Sequence, residues 1–531
     1  MAKFNNSRKY QDLKPDKNTM LNHEGSTVHS LNALERLFSK VLASMFGEKT
    51  YYSNRNAESD FKRLIEDVDQ LSEEDKEYAL KIALLGRKHN MITYPLELLT
   101  ICFNTEKYKG DKFLSKYGKN KLQYYSNGMV LRAKDITEIL SAHFNMYPDR
   151  PIPIQMRKAL KYKLEVFDKY KLSKGLGKNN EVSLADAIKL LRPKPENIEM
   201  EKVYKDIIEG NLKFGGGKKQ IQSELVKKGQ GRSSKKDLKE SIKHSTLQAL
   251  IQNLVALNRQ GLLEDKEIVD VIVSKLENPK EVEKSRLLPY KFYSAYKSIY
   301  NLRGIGVKRI SDALVLALDN SVKNLSELKG YNAILVDISG SMNWNINSKS
   351  IVTAKDNALL LGAIAYKLGI SDLYLFANEC EKIEGISKHS TVIDIMNRLY
   401  QVYLGGGTNL SVALDTIDMA NIKYDNLIIL SDNDCYGYDE YTNSISFGSR
   451  WSWNNNADEQ INSMIKKGRI KKVWINNLLG NDFAIANTEN HRKNLVSGFS
   501  EKFINIINSY EELSTGDIRL VIDKLLKGES L

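Results

Sequence analysis

Carboxylate and hydroxyl side chains alternate in Asn332 to Met342, which reads NAILVDISGSM. An apolar, β-prone run ends at Asp337, and Ser339 and Ser341 follow at alternate positions. This pattern predicts a buried strand that ends in a polar loop, with three oxygen donors leaving its carboxyl end. Hard oxygen ligands suit Mg²⁺, which accepts water in its remaining positions. The D-x-S-x-S spacing therefore indicates a divalent metal site, although serines ahead of a helix also serve as N-caps.

Two later stretches supply further oxygen donors. In LGGGTNL, Leu404 to Leu410, Thr408 follows three glycines and precedes an amphipathic run. In NLIILSDND, Asn426 to Asp434, a second apolar strand ends in Asp432. If the two strands lie parallel in one sheet, all these donors converge at its carboxyl edge, where open α/β sheets place ligands. Asp434 adds an acid that either tunes the ion or caps a turn.

This arrangement resembles a von Willebrand factor A domain with its metal-ion-dependent adhesion site (MIDAS), over about residues 331–510. The resemblance implies metal-ligand roles for Asp337, Ser339, Ser341, Thr408 and Asp432, with Mg²⁺ or another divalent cation as the cofactor. Strands predicted at 372–376 and 472–478 alternate with helices predicted at 350–369, 392–402, 458–467 and from 503. Such alternation predicts a doubly wound, mainly parallel sheet.

Charge divides the chain of 531 residues near residue 330. Residues 331–531 hold 19 Lys and Arg against 24 Asp and Glu, a net −5, whereas residues 1–330 hold 60 against 42, a net +18. A basic globular region favours a polyanion such as nucleic acid. The alternative is that lysine simply covers solvated faces.

Several classes of protein are disfavoured by composition. No apolar run reaches the roughly 18 to 20 residues that span a bilayer, and the N-terminus lacks a secretory apolar core, so we expect a cytoplasmic protein without membrane contact. Three scattered cysteines support neither disulfides nor a zinc site. Nucleophile motifs such as G-x-S-x-G are missing, which predicts a protein that is not an enzyme. A Mg²⁺-dependent nuclease remains the main enzymatic alternative, because carboxylates can activate metal-bound water.

Helical periodicity dominates the first 320 residues. Val28, Leu31, Leu34, Phe38 and Val41 form the first stripe, and further helices are predicted near 58–70, 74–88, 94–105, 132–145, 154–170, 183–191, 199–209, 237–260, 265–276, 290–301 and 307–318. About a dozen short helices with polar connectors predict paired helices stacked as a repeat array of the HEAT type.

Four stretches of this half carry a second resemblance. They are NHEGS with KTYY in Asn22 to Tyr52, FDKYKLSKGLGKNNEVSLADAIKLLRPKP from Phe167, LQALIQNLVALNRQGLL from Leu247 and LPYKFYSAY from Leu288. In this order and followed by the A domain, they resemble the TROVE module of the Ro autoantigen family and its bacterial and phage relatives. The chain departs from animal members at Leu184, where they carry a basic or histidine side chain.

The Ro resemblance implies a ring of HEAT-like repeats closed by the A domain. It implies that small structured Y RNAs bind the basic outer surface and that single-stranded 3′ ends of misfolded RNAs enter the central hole. Bacterial relatives further imply an exoribonuclease partner such as polynucleotide phosphorylase. A closed ring within one chain needs no second subunit, so we expect a monomer.

Cations in residues 157–194 could meet RNA phosphates. Arg157, Lys158, Lys161 and Lys163 fall within two helical turns, and Lys169, Lys171, Lys174, Lys178, Arg192 and Lys194 follow them. Tyr162 and Tyr170 lie among these cations and could stack on unpaired bases, although a core position is the favoured interpretation for each.

The predicted organisation has four parts. An arm-like N-terminus (1–20) precedes the TROVE helical-repeat module (21–328), the A domain (329–510) and a C-terminal extension (511–531) of no assigned role. The fold class is α plus α/β, and the predicted function is an RNA-binding scaffold in RNA quality control or decay. The competing hypothesis is a metal-dependent protein-interaction module that binds a partner's carboxylate and no specific RNA.

Overall fold

The structure is a computed structural model. It describes residues 19–527 with gaps at 24–25, 44–55, 110–120, 177–180, 213–220, 222–223, 226–233, 347–349, 436–456, 489–491, 499–501 and 514–515. Most of the predicted N-terminal arm, and Lys178 of the predicted RNA-binding set, therefore lie outside the described residues. None of the described helices is both long and apolar enough to cross a membrane.

The helical half of the chain runs from residue 33 to residue 322. Among the described residues up to 212, the helices are α1 (Ala33–Ala43), α2 (Ala57–Gln70), α3 (Lys76–Lys88), α4 (Thr93–Asn104), α5 (Lys121–Met129), α6 (Ala133–Met146), α7 (Ile154–Val166), α8 (Lys169–Lys174), α9 (Leu184–Leu191) and α10 (Ile198–Ile208). From residue 234 onward, the described helices are α11 (Lys235–Lys243), α12 (Leu247–Gln252), α13 (Leu254–Arg259), α14 (Lys266–Glu277), α15 (Pro279–Ser285), α16 (Pro289–Ile299) and α17 (Ile305–Val322). Their apolar faces pack into one continuous core.

Local capping breaks two of the longer predicted helices. The predicted helix 154–170 divides at Asp168, whose side chain accepts a hydrogen bond from the Lys171 backbone N–H and starts α8. The predicted helix 237–260 divides at Thr246, which caps α12 in the same way, and again at Asn253. The core-facing apolar positions are unaffected, so the helical-repeat architecture predicted from periodicity is confirmed.

The sheet domain, residues 328–513, follows directly. Its strands are β3 (Leu328–Asp337), β4 (Gly369–Phe376), β5 (Cys380–Lys382), β6 (Tyr424–Ser431), β7 (Ile470–Asn477), β8 (Phe483–Ala484) and β9 (Lys493–Ser497). Its helices are α18 (Ala354–Leu368), α19 (Val392–Tyr400), α20 (Leu410–Met419), α21 (Ala457–Lys466) and α22 (Phe503–Leu513). Six strands form one sheet in the order β5-β4-β3-β6-β7-β9, parallel except for β5 at one edge. The predicted doubly wound, mainly parallel sheet is confirmed.

The start of the chain departs from the helical prediction. Residues Thr19–Leu21 (β1) and Thr27–Ser30 (β2) form an antiparallel hairpin, and β2 also pairs with β8 of the sheet domain. Val28 and Leu31, assigned to the first helical stripe, therefore lie on this hairpin and in the turn before α1. Pairing with a strand about 450 residues away overrides the local helical spacing.

Both ends of the helical half contact the sheet domain, so the chain closes on itself. At its start, the Ser497 hydroxyl of β9 donates to the Ser39 carbonyl of α1 at 3.0 Å. At its end, Asp319 of α17 accepts from the Val392 N–H of α19 at 2.8 Å and pairs with Lys367 at 2.9 Å. The resulting closed circuit of helices and sheet domain is the ring.

The C-terminal residues return to the helical half. Helix α23 (Ile518–Lys527) packs on α3. Its Arg519 forms a bidentate ion pair with Asp75, at 2.6 and 3.1 Å. Its Asp523 accepts a hydrogen bond from the Tyr78 hydroxyl at 2.9 Å. The segment beyond residue 510 is therefore part of the contact that closes the ring.

Candidate functional site

The oxygen donors singled out in the sequence meet at the carboxyl edge of the sheet, and we call this set the metal edge: Asp337, Ser339, Ser341, Thr408 and Asp432. Strand β3 ends at Asp337, in register with Phe376 at the end of β4. On its other side, β3 pairs with β6, which ends at Ser431 just before Asp432. Parallel register thus brings the ends of β3 and β6 together. All five side chains are buried.

The D-x-S-x-S loop is held by its own hydrogen bonds. Asp337 Oδ1 accepts the Ser339 backbone N–H at 2.9 Å, and Oδ2 accepts the Ser431 hydroxyl at 2.7 Å. The two serine hydroxyls lie 3.2 Å apart. These contacts orient a carboxylate and two hydroxyls toward one another at the strand end.

The glycine loop, Leu404 to Leu410, brings Thr408 to the carboxyl edge of the sheet. Gly340 N–H donates to the Gly406 carbonyl at 2.8 Å, and a Cβ at Gly340 would meet that oxygen at 3.0 Å. Gly405 has a φ of +90°, and a Cβ there would lie only 2.5 Å from Asn378 Nδ2. A side chain at Gly340 would press on the neighbouring loop, and one at Gly405 would be strained by its φ and would clash with Asn378, so glycine is favoured at both positions.

Asp432 carries a buried oxygen that is not hydrogen-bonded to any described residue. Its Oδ1 accepts the Asp434 backbone N–H at 3.1 Å, whereas its buried Oδ2 has no hydrogen-bond partner among the described residues. Burial raises the pKa of Asp432 to about 8, and the carboxylates of Asp337 and Asp434 push it the same way. Burial also raises the pKa of Asp337, against hydrogen bonds from Ser339 and Ser431 that favour its ionised form.

This donor set fits a divalent cation. Two buried carboxylates with raised pKa values lie here, and one of them has an oxygen without a hydrogen bond from the described residues. A bound cation would stabilise the ionised form of both. Lys355 is half-buried nearby, and burial lowers its pKa although Asp337 opposes that change. Within the described residues, no group of three or more His, Cys, Asp or Glu side chains could hold a metal. Any ion here depends on the Ser and Thr hydroxyls.

The sequence left the role of Asp434 open, and the structure shows its contacts. Its Oδ1 accepts the His23 backbone N–H at 3.1 Å and lies 3.0 Å from His23 Nδ1. The turn of the N-terminal hairpin therefore reaches the metal edge. No spacing in the sequence signals this pairing, because 411 residues separate the two side chains.

The predicted RNA-binding residues that are described lie on α7, α8 and the turn after α9, and most are accessible. Arg157, Lys158, Lys169, Lys171, Arg192 and Lys194 are exposed, and Lys161 and Lys174 are half-buried. We call these eight cations the basic face. Arg192 has a φ of +51° at the end of α9, which turns the chain toward Lys194.

Lys163 differs from its neighbours. It is buried, its Nζ donates to the Asn127 carbonyl at 3.0 Å, and it lies 5.4 Å from the centroid of the Phe167 ring. Burial lowers its pKa, and the like charge of Lys171 adds to that effect. Its side chain thus links α7 to the end of α5 and presents little cationic surface to a ligand.

Aromatic rings accompany the basic face. Tyr162 is 42% exposed and Tyr170 is 41% exposed, so the core position favoured for both tyrosines is not what the structure shows. Lys174 Nζ lies 5.3 Å from the Tyr170 ring centroid. Leu184, where the chain departs from animal Ro proteins, is buried at the first turn of α9. Its side chain therefore packs inward and does not contact a ligand on this face.

Comparison with known proteins gives two informative matches. Residues 222–337 match the TROVE domain family model. The crystal structure of the Ro (RSR) protein of Deinococcus radiodurans superposes with a TM-score of 0.60 at 16% identity, covering 94% of this chain and 100% of that one. Proximal thread matrix protein 1 from the mussel byssus is 14% identical over 68% of this chain and 89% of its own, but its TM-score of 0.22 is too low to indicate a shared fold. No curated protein sequence matches.

A closed circuit of paired helices joined to a parallel sheet with a D-x-S-x-S edge defines a helical-ring protein with a domain of the von Willebrand factor A type. Within that class, the TROVE match and the shared ring fold confirm the resemblance seen in the sequence. The chain therefore carries a TROVE domain match over residues 222–337 and shares the fold of a bacterial Ro protein.

Proposed function

We propose that this chain is a cytoplasmic, non-enzymatic RNA-binding ring protein that works as a monomeric scaffold in RNA quality control or decay. Small structured RNA of the Y type binds the outer surface, and single-stranded 3′ ends of misfolded RNA enter the central hole. The observation that carries the proposal is the basic face, where accessible cations lie on the same two helices as two half-exposed tyrosine rings.

Electrostatics supports this assignment. Among the exposed cations, Arg157, Lys158 and Lys169 have no carboxylate within ion-pair distance among the described residues. Lys161 approaches Glu165 only at 4.0 Å, a separation typical of weak surface pairs. Cations that are not already neutralised can release counterions from phosphates, which is the main source of affinity for RNA backbones.

The same face can accept unpaired bases. A base that stacks on an exposed tyrosine ring contributes roughly 1 to 3 kcal/mol, and every base has a suitable face. Duplex RNA instead offers its phosphates and shallow minor groove from outside. A helix with a single-stranded tail can therefore use both kinds of contact at once, which raises the effective concentration of the second contact.

The metal edge has a separate role in this proposal. Asp337 and Asp432 would hold Mg²⁺ or another divalent cation with the hydroxyls of Ser339, Ser341 and Thr408. The ion would supply a Lewis-acidic position at the sheet edge. The chain's own residues arrange hydroxyls and carboxylates around that position and exclude bulk water, since all five side chains are buried.

Nuclease activity is less well supported than binding. Two-metal phosphodiester chemistry needs several carboxylates around its ions. Here one oxygen of each acid already accepts a hydrogen bond from a neighbouring loop group, Asp337 from Ser339 and Asp432 from Asp434. In this proposal, cleavage of bound RNA falls to a recruited exoribonuclease such as polynucleotide phosphorylase.

A second candidate function is a metal-dependent contact with a protein. Trp344, in the turn that follows Ser341, is 44% exposed, and Tyr403, just ahead of the glycine loop, is 87% exposed. Exposed aromatic side chains beside a metal position favour a partner that supplies a carboxylate with apolar neighbours. This function is compatible with RNA binding, because the two surfaces lie on different halves of the chain.

The experiment that tests the main proposal is a gel-shift titration with three matched RNAs: a blunt duplex, the same duplex with a single-stranded 3′ tail, and the tailed duplex with its 3′ end blocked by a bulky group. The tailed duplex should bind most tightly, and blocking should return its affinity toward that of the blunt duplex. Equal affinity for all three would remove the threading of 3′ ends and leave only outer-surface binding. No binding of any of them would refute the RNA function itself.

A further inference from the structure

The turn of the N-terminal hairpin inserts two side chains beside the metal edge. Asn22 is buried, and its Nδ2 donates to the Cys435 carbonyl at 2.7 Å while its Oδ1 accepts the Ser26 N–H at 2.8 Å. His23 contacts Asp434 through both its backbone N–H and its ring. Asn22 therefore links the two strands of the hairpin through Ser26 and links the hairpin to the loop 432–435 through Cys435.

The loop 432–435 needs such support. Asn433 has a φ of +67°, a left-handed conformation that asparagine tolerates but does not prefer. Asn481 Nδ2 also donates to the Asp432 carbonyl at 2.7 Å and lies 3.4 Å from Asp434 Oδ2. Asn481 and the hairpin thus both hold the loop, and its backbone direction decides where Asp432 Oδ2 points.

We propose that the N-terminal hairpin, formed by β1 and β2 with Asn22 and His23, is a positioning element for the divalent cation: Asn22 and His23 fix the loop 432–435 so that Asp432 presents its unpartnered oxygen to the ion. This inference rests on the metal edge described under the proposed function. Asn22 and His23 do not touch the ion; they act through Cys435 and Asp434.

Two physical consequences follow from this arrangement. Groups that orient metal ligands without touching the metal are typically worth 10- to 100-fold in metal affinity, because a loop that must be ordered on binding binds more weakly. Coupling of this kind is reciprocal, so the ion must also stabilise the docked hairpin by the same factor.

The test measures metal affinity and hairpin docking in the full-length protein. Titration calorimetry with Mg²⁺ and Mn²⁺ compares wild type with Asn22→Ala/His23→Ala, and with Met20→Ala as a matched control on the exposed face of the same hairpin. We expect the double variant to raise Kd at least about tenfold and the control to leave it unchanged. His23→Gln, whose amide can still donate to Asp434, should restore part of the affinity lost in His23→Ala.

Hydrogen exchange gives the reciprocal measurement. In wild type, Mg²⁺ should slow exchange of the amides of residues 19–30, and the Asp337→Ala variant should abolish that slowing. The single variant His23→Ala serves where the double variant folds poorly, because its side chain is 45% exposed.

The outcomes separate the two proposals. If wild type binds Mg²⁺ and the variants Asn22→Ala/His23→Ala and His23→Ala bind it equally well, the positioning role is overturned while the metal edge stands. If wild type binds no divalent cation, the metal edge fails and the hairpin role fails with it. An unchanged exchange rate on adding saturating Mg²⁺ to wild type would also overturn the coupling.

Discussion

The hydroxyl of Tyr293, in α16 of the helical half, donates a 3.1 Å hydrogen bond to the carboxylate of Asp356, in the first turn of α18 in the sheet domain. Lys297 and the Tyr400 hydroxyl bind the same carboxylate. Asp356 also accepts the Thr353 N–H at 2.7 Å and so caps its own helix. One buried acid thus joins the two halves of the ring and the start of α18.

Replacing Asp356 should weaken this joint markedly. Asp356→Ala removes a buried partner of a lysine and two tyrosines together with a helix cap, and such losses cost about 3 to 5 kcal/mol. Tyr293→Phe removes one hydrogen bond and should cost about 1 kcal/mol. Urea unfolding followed by tryptophan fluorescence measures both, since Trp344 and Trp474 lie in the sheet domain. If the two variants lowered the free energy of unfolding equally, Asp356 would contribute no more than its single hydrogen bond to Tyr293.

Removing charge from the basic face should weaken RNA binding. The variant Arg157→Ala/Lys158→Ala/Lys169→Ala/Lys171→Ala removes four exposed cations, and each lost contact to single-stranded RNA should reduce the log–log salt slope by about 0.7. The matched control removes four exposed lysines elsewhere in the helical half, Lys266, Lys280, Lys284 and Lys291. Filter binding across a salt series measures affinity and slope. If the variant and the control lose affinity and salt dependence equally, RNA binding depends only on the net charge of the helical half.

Loss of the first carboxylate of the metal edge should abolish divalent-cation binding. Asp337→Ala removes an acid whose oxygens already organise Ser339 and Ser431. Calorimetric titration with Mn²⁺ should show no heat of binding, and Glu459→Ala, an exposed acid on α21, should behave as wild type. RNA affinity should persist, because the basic face lies on the other half of the chain. Loss of RNA binding in a folded Asp337→Ala protein would mean that the ion contacts phosphate.

Stability should decrease as pH rises because of Glu97 in α4. Burial raises the pKa of Glu97 to about 8, and the carboxylate of Glu138 adds to the rise. Between the ordinary pKa of glutamate and pH 8, the folded state therefore binds more protons than the unfolded state, and stability falls as pH increases through this window. Urea unfolding at pH 5 and pH 8 should show a steeper loss for wild type than for Glu97→Gln. Glu199→Gln, exposed on α10, is the control, and parallel losses in all three proteins would contradict the prediction.

Much of the architecture is encoded locally and was therefore predictable. Periodic apolar positions identify the helices of the first half and the strands β3 and β6, because each buries its face against its neighbours in the chain. The metal edge could also be anticipated, since parallel strands such as β3 and β6 must end at one edge. Helix ends were harder to place: Asp168 and Thr246 each start a new helix inside a predicted one through a single side-chain hydrogen bond.

Features that depend on distant pairing could not be read from the sequence. The spacing of Val28 and Leu31 favours a helix, but pairing of β2 with β8 makes this segment a strand. Lys163 looks like its exposed neighbours in the sequence, yet it faces Asn127 on another helix. The contact of His23 with Asp434 has no sequence signal at all. In each case the deciding partner lies far along the chain, where spacing carries no information.

The pairing of β2 with β8 sets the order in which the molecule can be completed during synthesis. The hairpin emerges from the ribosome before its partner strand at Phe483–Ala484, which follows about 450 residues later. At about 5 to 20 residues per second, the edge of β2 waits roughly 20 to 90 seconds without its neighbour. An unpaired strand edge invites pairing with other chains. Nascent chains should therefore need protection at this hairpin until the β8 segment has emerged.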